Sequence, residues 1–318
     1  MSIGYLFAFG ACIGWSIAGF IITNATKHLP VPVINLLRLA FGVSFITILT
    51  LVFNFQDFTH LFSSNLVHAW LWLGLSGIIS LVLGDYLSFK SYAILKPQKA
   101  SVVTTLSPTT ALIFGILLLN EKINAVGIIG IIITIAGVIS ISLGRSQRNT
   151  TQVDSNSNTN KAILFGIAAA ACHGLGLALS KKGLMLQKEA GNIISPINAT
   201  FIRLVVGFLF LFMLTFFSGK IKMYYQQIIA NKKASKQTLL GSIFNPTLAV
   251  TLSMFSILYM DVAVAQTIFS LVPFFTLLIA FFVLREKVTV QSLIGVLVAI
   301  AGVGILIWRL KIGAFVGL

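Results

Sequence analysis

Long apolar runs separated by short polar stretches make up most of this chain. Ten of the runs hold few charges, and each is long enough to cross ~30 Å of hydrocarbon at ~1.5 Å per residue. They lie at 3–22, 32–53, 68–89, 100–119, 124–143, 162–180, 197–217, 239–259, 265–284 and 289–308. The pattern predicts an all-α integral membrane protein with ten transmembrane helices.

The second half of the chain repeats the first. Residues 100–138 and 265–303 align without a gap at an offset of 165 and share thirteen of thirty-nine positions. In each copy a proline, Pro108 or Pro273, stands thirteen residues before a Glu-Lys pair. Five helices per copy is an odd number, so the second copy must enter the membrane from the opposite side. We therefore predict two five-helix repeats of inverted topology, with a site between them.

Two polar connectors interrupt the apolar pattern, near 145–161 and near 218–238. Neither can bury a core of its own, and the first lies between the two copies. The predicted organisation is a first repeat over 1–144, a linker over 145–161, a second repeat over 162–310 and a short tail over 311–318.

The composition agrees with a membrane environment. Hydrophobic residues are 57% of the chain and charged residues 9%, against roughly a quarter charged in soluble domains. A net charge of +15 would suggest nucleic acid in a soluble chain, but these lysines and arginines lie between apolar runs. We therefore expect membrane lipid as their partner and no nucleic acid. Cys12 and Cys172 lie inside predicted helices without ligand spacing, so we expect no disulfide and no metal.

The loop charges are unequal on the two sides. Six loop or terminal lysines and arginines fall on the side of the chain termini and fourteen on the opposite side. By the positive-inside rule, the termini would face away from the cytoplasm.

Two motifs identify a family. The stretches SPTTALIFGILLLNEKI and VPFFTLLIAFFVLREKV, each followed by a glycine-rich helix, resemble the EamA branch of the drug/metabolite transporter superfamily. The resemblance includes Gly14-Trp15-Ser16 in the first helix and Arg38 and Arg203 in the second helix of each copy, again 165 apart. No tryptophan matches Trp15 in the second copy, and Lys96, Pro97 and Lys99 fill a segment that is usually small and neutral.

The resemblance implies a ten-helix inverted-repeat fold with a central cavity. Helices 1–4 and 6–9 would line that cavity, and helices 5 and 10 would support it. Family members commonly keep both termini in the cytoplasm, which is opposite to the charge count, so the orientation of the termini stays open.

Three charged residues lie inside predicted spans, where a charge must pair, snorkel or face water. Arg38 and Arg203 either hold helix ends together or bind a carboxylate or phosphate of the substrate. Asp85 lies near the end of the third helix. It is either an interfacial acid paired with Lys90 or a loop lysine, or a group that exchanges a proton with transport.

Other polar and aromatic residues are candidates for the cavity wall. His173 interrupts an alanine-glycine run in the sixth helix, as a satisfied core histidine or as a proton-relay residue. Trp15 and Tyr86 offer flat amphipathic walls, although aromatic residues near span ends also form interfacial belts. Asn245 in the eighth helix and Gln266 at the start of the ninth add polar atoms.

Pro108 and Pro273 fall in the middle of the predicted fourth and ninth spans. A proline there removes an intrahelical hydrogen bond and exposes a carbonyl. The two residues are therefore candidates for a helix kink or a gating hinge, and a static kink is the simpler interpretation.

The leading functional hypothesis is a secondary transporter that works by alternating access, as an exporter or exchanger of a small metabolite such as an amino acid or another carboxylate. No ATP-binding motif is present, so energy would come from solute gradients or from protons through Asp85. The alternatives are a polyspecific exporter of lipophilic drugs, a passive channel and, more distantly, a lipid-modifying enzyme. No enzyme activity and no cofactor are expected, the oligomeric state is open, and the expected location is the bacterial inner membrane.

Overall fold

The computed structural model describes residues 2–53, 61–91, 105–146, 158–285 and 288–316, together with residues 58, 94 and 103. Regular structure within these ranges is helical throughout. Nine helices in the described part of the chain are long and apolar enough to cross a membrane, and a shorter apolar helix occupies the place of the predicted fourth span. The predicted all-α membrane fold is confirmed.

The described residues of the first repeat contain five α-helices. They are α1 (Ser2–Ala25), α2 (Val31–Phe53), α3 (Val67–Ser91), α4 (Ser107–Leu119) and α5 (Ala125–Ser146). We call the end of the bundle at Ser2 the termini end and the end at Ser146 the linker end.

The second repeat holds the corresponding helices and one addition. They are α6 (Asn158–Glu189), α7 (Pro196–Phe217), α8 (Ile221–Ala230), α9 (Lys232–Tyr259), α10 (Val262–Phe269), α11 (Val272–Leu284) and α12 (Val290–Val316). The added helix α8 joins α7 to α9 at the linker end, where the sequence predicts only a polar connector. α10 and α11 together form the ninth span.

Several helix ends differ from the predicted spans. α9 begins at Lys232 instead of residue 239, and α6 continues to Glu189 instead of residue 180. Hydropathy marks only the part of a helix within hydrocarbon, whereas backbone hydrogen bonding continues through polar turns outside it. α4 differs in the other direction, because it begins at Ser107 after a turn at 105–106. Lys96, Pro97 and Lys99 lie outside the described residues.

α5 and α12 pack against each other as a separate pair. A Cβ atom added at Gly137 would meet the backbone of Ala299 at 2.7 Å, and one added at Gly130 would meet the Leu306 backbone at 3.0 Å. Ser292 Oγ also donates to the Ile141 carbonyl at 3.2 Å. Such close backbone contact between small residues is typical of tight helix pairs in membranes, and it fits the scaffold role implied for the fifth and tenth helices.

The repeat is visible in the backbone as well as in the sequence. α3 contains a π-helical segment over Ile78–Gly84, and α9 contains one over Ile243–Leu248, at the same offset of 165 residues. α4 and α11 both end in a left-handed residue, Asn120 and Arg285, each with φ of 53°. Matched irregularities in the two halves support an architecture built by duplication.

Candidate functional site

The two prolines lie at breaks in their spans and not inside continuous helices. Pro108 and Pro273 are each the second residue of a helix, α4 and α11. The prediction of a mid-helix kink is corrected accordingly, because a proline in the first helical turn removes no intrahelical bond. In the ninth span, a turn at Ser270 and Leu271 separates α10 from α11. Whether either break moves during transport stays a prediction.

Side chains of α1 lie against carbonyls at the break between α10 and α11. Cys12 Sγ donates to the Ile268 carbonyl at 3.1 Å, and Ser16 Oγ lies within hydrogen-bond distance of the Val272 carbonyl, at 3.1 Å, and of the Cys12 carbonyl of its own helix, at 2.8 Å. The Ile268 and Val272 carbonyls also accept from the Leu271 amide and from Thr276 Oγ1, both at 2.9 Å, so the contacts of α1 add to hydrogen bonds that the broken span makes itself. Cys12 thus has a definite packing role as a weak donor.

The two repeat-related arginines contact neighbouring residues of one segment. Arg203 on α7 donates through Nη2 to Ser80 Oγ at 2.8 Å, and Arg38 on α2 donates through Nη2 to the Leu81 carbonyl at 3.3 Å. Ser80 and Leu81 lie in the π-helical segment of α3, and π segments are frequent at functional sites. α3 is therefore held between the two arginines, one from each half of the protein.

The approach of α7 to this segment depends on a glycine. A Cβ atom added at Gly77 would collide with the backbone carbonyl of Arg203. Across α3, a Cβ atom at Gly176 of α6 would meet Ser80 Cβ at 2.6 Å. Small residues thus let α6 and α7 of the second repeat reach the centre of α3.

Arg38 forms an ion pair with Asp85. The guanidinium is 1% exposed, and Nη2 donates to the Asp85 carboxylate and, at 2.9 Å, to Asn35 Oδ1. Within the described residues, Arg38 Nε has no hydrogen-bond partner. The cation paired with Asp85 is therefore Arg38 of α2, and not Lys90, which the interfacial interpretation of Asp85 names as its partner.

His173 of α6 reaches the same carboxylate. Its Nε2 lies 3.9 Å from Asp85 Oδ1 and 3.2 Å from Ser88 Oγ, and its side chain is 27% exposed. Gly84 makes room for the ring, since a Cβ atom there would lie 3.0 Å from His173 Cε1. The structure thus brings Arg38, Asp85 and His173 together from α2, α3 and α6. The Asp85 carboxylate lies between the guanidinium of Arg38 and the imidazole of His173.

The surroundings of Arg203 are similar but lack an acid at the matching position. Arg203 Nη1 lies 3.3 Å from Met254 Sδ, and Arg38 lies 6.0 Å from the ring centre of Phe89, which is the residue 165 positions before Met254. The position 165 after Asp85 is Val250. The two halves therefore share the arginine but not its counter-ion, and the carboxylate of the cluster comes from the first repeat.

Tyr86 lies beside this cluster towards the linker end. The ammonium of Lys90 lies 4.6 Å from the centre of the Tyr86 ring and 5.3 Å from that of Phe165. Tyr224 of α8 is near enough to interact with Tyr86: burial raises the pKa of the Tyr224 phenol, and Tyr86 raises it further. Aromatic and basic groups thus lie next to Asp85 on its linker-end side.

The other predicted wall residues make different contacts. Trp15 is half-buried and makes an edge contact with Phe269, with ring centres 4.9 Å apart. Asn245 is partly exposed in a non-helical conformation within α9, and Pro246 beside it packs on Gly42. Gln266 is partly exposed on the second turn of α10 and does not open the ninth span as predicted.

A second polar cluster lies at the termini end and joins the two repeats. Glu121 Oε1 accepts a hydrogen bond from Lys181 Nζ at 2.7 Å, and the Glu121 carboxylate also accepts from the Val262 amide at 2.9 and 3.0 Å. Lys181 Nζ further donates to the Met260 carbonyl at 2.8 Å. Glu121 thus caps α10 of the other repeat. Glu286, its counterpart, lies outside the described residues.

An ion pair lies beside this cluster at the termini end. Arg309 Nη2 of α12 donates to Asp261 Oδ2 at 2.6 Å, and Asn124 Nδ2 donates to the Arg309 carbonyl at 3.1 Å. Asn124 belongs to the first repeat and Arg309 to the second. The sequence singles out neither Lys181 nor Arg309, because lysines and arginines near span ends usually snorkel to the interface.

Sequence reasoning also misses Asn35, Ser80 and Ser88, which supply hydrogen bonds to the charged residues. Serine and asparagine are common in these helices, so composition alone gives no signal. Their place on the helix faces that meet Arg38, Arg203 and His173 could be found only from the helix packing.

Residues 2–143 and 160–308 match the family model described as the EamA-like transporter family, once for each repeat. A solved structure titled only "Crystal structure of protein" is similar, with a TM-score of 0.68 and 15% sequence identity over 96% of this chain and 96% of that chain. No curated protein matches the chain.

Proposed function

The chain belongs to the EamA-like transporter family, and from that premise we propose that it carries a small carboxylate-bearing solute across the membrane by alternating access. Membership in this branch of the drug/metabolite transporter superfamily makes it an integral, multi-pass membrane transporter. The proposed role is that of an exporter or exchanger of amino-acid-like metabolites in the bacterial inner membrane.

The observation that carries the proposal is the cluster of Arg38, Asp85 and His173. A buried guanidinium needs an anion, because leaving it uncompensated away from water is costly. Asp85 now fills that role, with its side chain 17% exposed, while Arg38 is 1% exposed. A substrate carboxylate has the charge and geometry to take the place of Asp85 on Arg38.

The same contact supports a link between substrate and proton. If a substrate carboxylate binds Arg38, the displaced Asp85 carboxylate loses its counter-ion, and a proton can neutralise it in place of the guanidinium. His173 lies 3.9 Å from Asp85 and is partly exposed, so it is placed to pass that proton. Substrate and proton would then bind together and leave together, so export would be driven by the outward gradient of the substrate itself or by exchange for another solute.

The polar cluster at the termini end supports the alternating-access part of the proposal. Glu121 with Lys181, and Asn124 with Arg309, hold the two repeats together at that end. The Asp85 cluster lies closer to the linker end and includes partly exposed side chains. This arrangement is the one expected of a carrier closed at the termini end, whose opening would require these contacts to break.

One observation favours an alternative. Arg38 and Arg203 both donate hydrogen bonds to groups of the protein itself, which suits a structural role. The edge contact of Trp15 with Phe269 offers an aromatic wall. In a polyspecific exporter of lipophilic drugs, such walls would hold the cargo and the arginines would only hold the helices.

A ligand screen by thermal stability separates these alternatives. The purified protein would be unfolded by heat with amino acids, organic acids, nucleosides, sugars or cationic drugs, since a ligand bound only to the folded state stabilises it by ~2.7 kcal/mol at a hundred times its Kd. We expect stabilisation by one class of carboxylates, lost in Arg38→Lys. Stabilisation by lipophilic cations that Arg38→Lys retains would instead support the drug exporter.

A further inference from the structure

A basic amphipathic surface lies at the linker end, formed by α8 and the first turns of α9. Its basic members are all exposed lysines: Lys220, Lys222, Lys232, Lys233 and Lys236. Its large apolar members are also exposed: Met223 by 44%, Tyr225 by 63% and Ile229 by 48%. No acidic residue occurs in the sequence between Glu189 and Asp261.

The opposite face of α8 fixes this surface on the protein. Tyr224 and Ile228 pack on an apolar cluster that includes Ile22 of α1 and Ile34 of α2. Ser235 Oγ of α9 donates to the Ile228 carbonyl at 3.0 Å, which ties α9 to the end of α8. The inward face of α8 therefore packs on the protein, and the outward face, with its exposed lysines and apolar side chains, takes no part in that packing.

The connections of α8 keep it close to the bilayer. α7 ends at Phe217 and α8 begins at Ile221, so the three residues between them can extend ~10 Å at most. At its other end, Asn231 alone separates α8 from α9. A helix tethered in this way lies near the headgroups of one leaflet.

We propose that this basic amphipathic surface binds the headgroups of anionic phospholipids in the leaflet at the linker end. Exposed lysines attract the anionic headgroups, and the exposed apolar side chains enter the boundary between headgroups and acyl chains. A soluble acidic protein or nucleic acid would satisfy the lysines but not Met223, Tyr225 and Ile229. The lipid surface satisfies both, and it is already next to the helix.

This inference is independent of the proposed transport function, because none of these residues contacts Arg38, Asp85 or His173 in the ion pairs described above. It adds a physical role for the helix that replaces the predicted connector. It also assigns a specific site to part of the excess positive charge on that side of the chain.

The test measures lipid preference at the protein boundary. The full chain would be reconstituted in phosphatidylcholine nanodiscs containing a trace of spin-labelled phosphatidylglycerol or spin-labelled phosphatidylcholine. Electron paramagnetic resonance then gives the immobilised fraction of each lipid. We expect a several-fold preference for phosphatidylglycerol at low salt that weakens at high salt, because exposed charge interactions are screened.

Two variants of equal charge make the test specific. Replacement of all five surface lysines by Gln should remove most of the preference. The control variant replaces five exposed lysines elsewhere by Gln: Lys27, Lys122, Lys161, Lys188 and Lys311. It removes the same charge and should keep most of the preference for phosphatidylglycerol. If the first variant fails to fold, Lys232→Gln with Lys233→Gln replaces it, with Lys27→Gln and Lys161→Gln as its control.

Three outcomes would overturn the proposal. An equal loss in both variants would make the preference a property of net charge. No preference in the unmodified protein would remove the lipid as the partner. Dimers in the nanodiscs that the surface variant alone disrupts would show that a second copy of the chain covers the surface.

Discussion

Arg38 and Asp85, 47 residues apart in the sequence, form an ion pair between α2 and α3, where Arg38 is almost completely buried. The partner of the equivalent arginine, Arg203, is Ser80, and the position equivalent to Asp85 is Val250. Within the described residues, the duplicated fold thus pairs an acid with Arg38 and not with Arg203. This asymmetry makes Asp85 the residue to test first for coupling to protons.

Replacement of Asp85 by Asn should abolish the pH dependence of transport while leaving counterflow of the substrate. Asn keeps the size of the side chain but can take up no proton, so the step that couples transport to pH is lost. Net uptake into proteoliposomes at several pH values, beside exchange of labelled for unlabelled substrate, measures both properties.

Asp261→Asn is the matched control for this variant. Asp261 is also in an ion pair, with Arg309 at 2.6 Å, but lies at the termini end. It should retain the pH dependence. A pH profile that is unchanged in Asp85→Asn would remove Asp85 from the coupling mechanism.

Replacement of Arg38 by Gln should destabilise the protein by roughly 3 kcal/mol, because breaking a buried ion pair leaves one charge without compensation. The double variant Arg38→Gln with Asp85→Asn removes both charges and should recover most of that stability. Thermal unfolding of the purified proteins measures these differences.

Transport separates a structural role of Arg38 from substrate binding. If Arg38 binds the substrate carboxylate, the double variant will be stable but inactive. A stable double variant with full transport would show that the pair only holds α2 against α3, as in the drug-exporter alternative.

Replacement of Glu121 by Gln should loosen the termini end. The change leaves Lys181 without its counter-ion and weakens the cap on α10. Gln266, on the second turn of α10, provides a reporter: in a Cys172→Ala background, Gln266→Cys should react faster with a water-soluble thiol reagent when Glu121 is replaced.

Glu189→Gln serves as the comparison, because Glu189 is an exposed acid at the same end of α6 as Lys181. It should leave the reaction rate at Gln266→Cys unchanged. Equal rates in the two variants would show that Glu121 does not hold the termini end closed.

Replacement of Gly77 by Ala should cost roughly 1–3 kcal/mol of stability and reduce transport, because the added methyl group collides with the Arg203 backbone and pushes α7 from α3. Gly304→Ala is the control. There the added Cβ atom lies 3.9 Å from Trp308 Cζ3, an ordinary contact. Thermal unfolding should show a loss for the first variant and no loss for the second, and equal effects would contradict this account of the α3–α7 crossing.

Several features of the fold can be predicted from the sequence because they depend on local composition or on repetition. Apolar runs long enough for hydrocarbon predict the spans, and the offset of 165 residues between Pro108 and Pro273 predicts two inverted repeats. The sequence predicts kinks in the middle of two spans at these prolines, whereas the structure places them in the first turns of α4 and α11. α8 escapes prediction because its ten residues are too short and too polar for a span.

The sequence by itself determined that this protein lies in a membrane and that it is built by duplication. It also determined which residues are costly to bury: Arg38, Asp85, His173 and Arg203. These properties belong to single residues or to short segments. Only the tertiary structure decided their partners, because an ion pair or a cap forms between atoms on different helices, and no periodicity records which faces meet. Arg38 therefore pairs with Asp85, while the ammonium of Lys90 lies over the ring of Tyr86. Glu121 caps a helix of the opposite repeat.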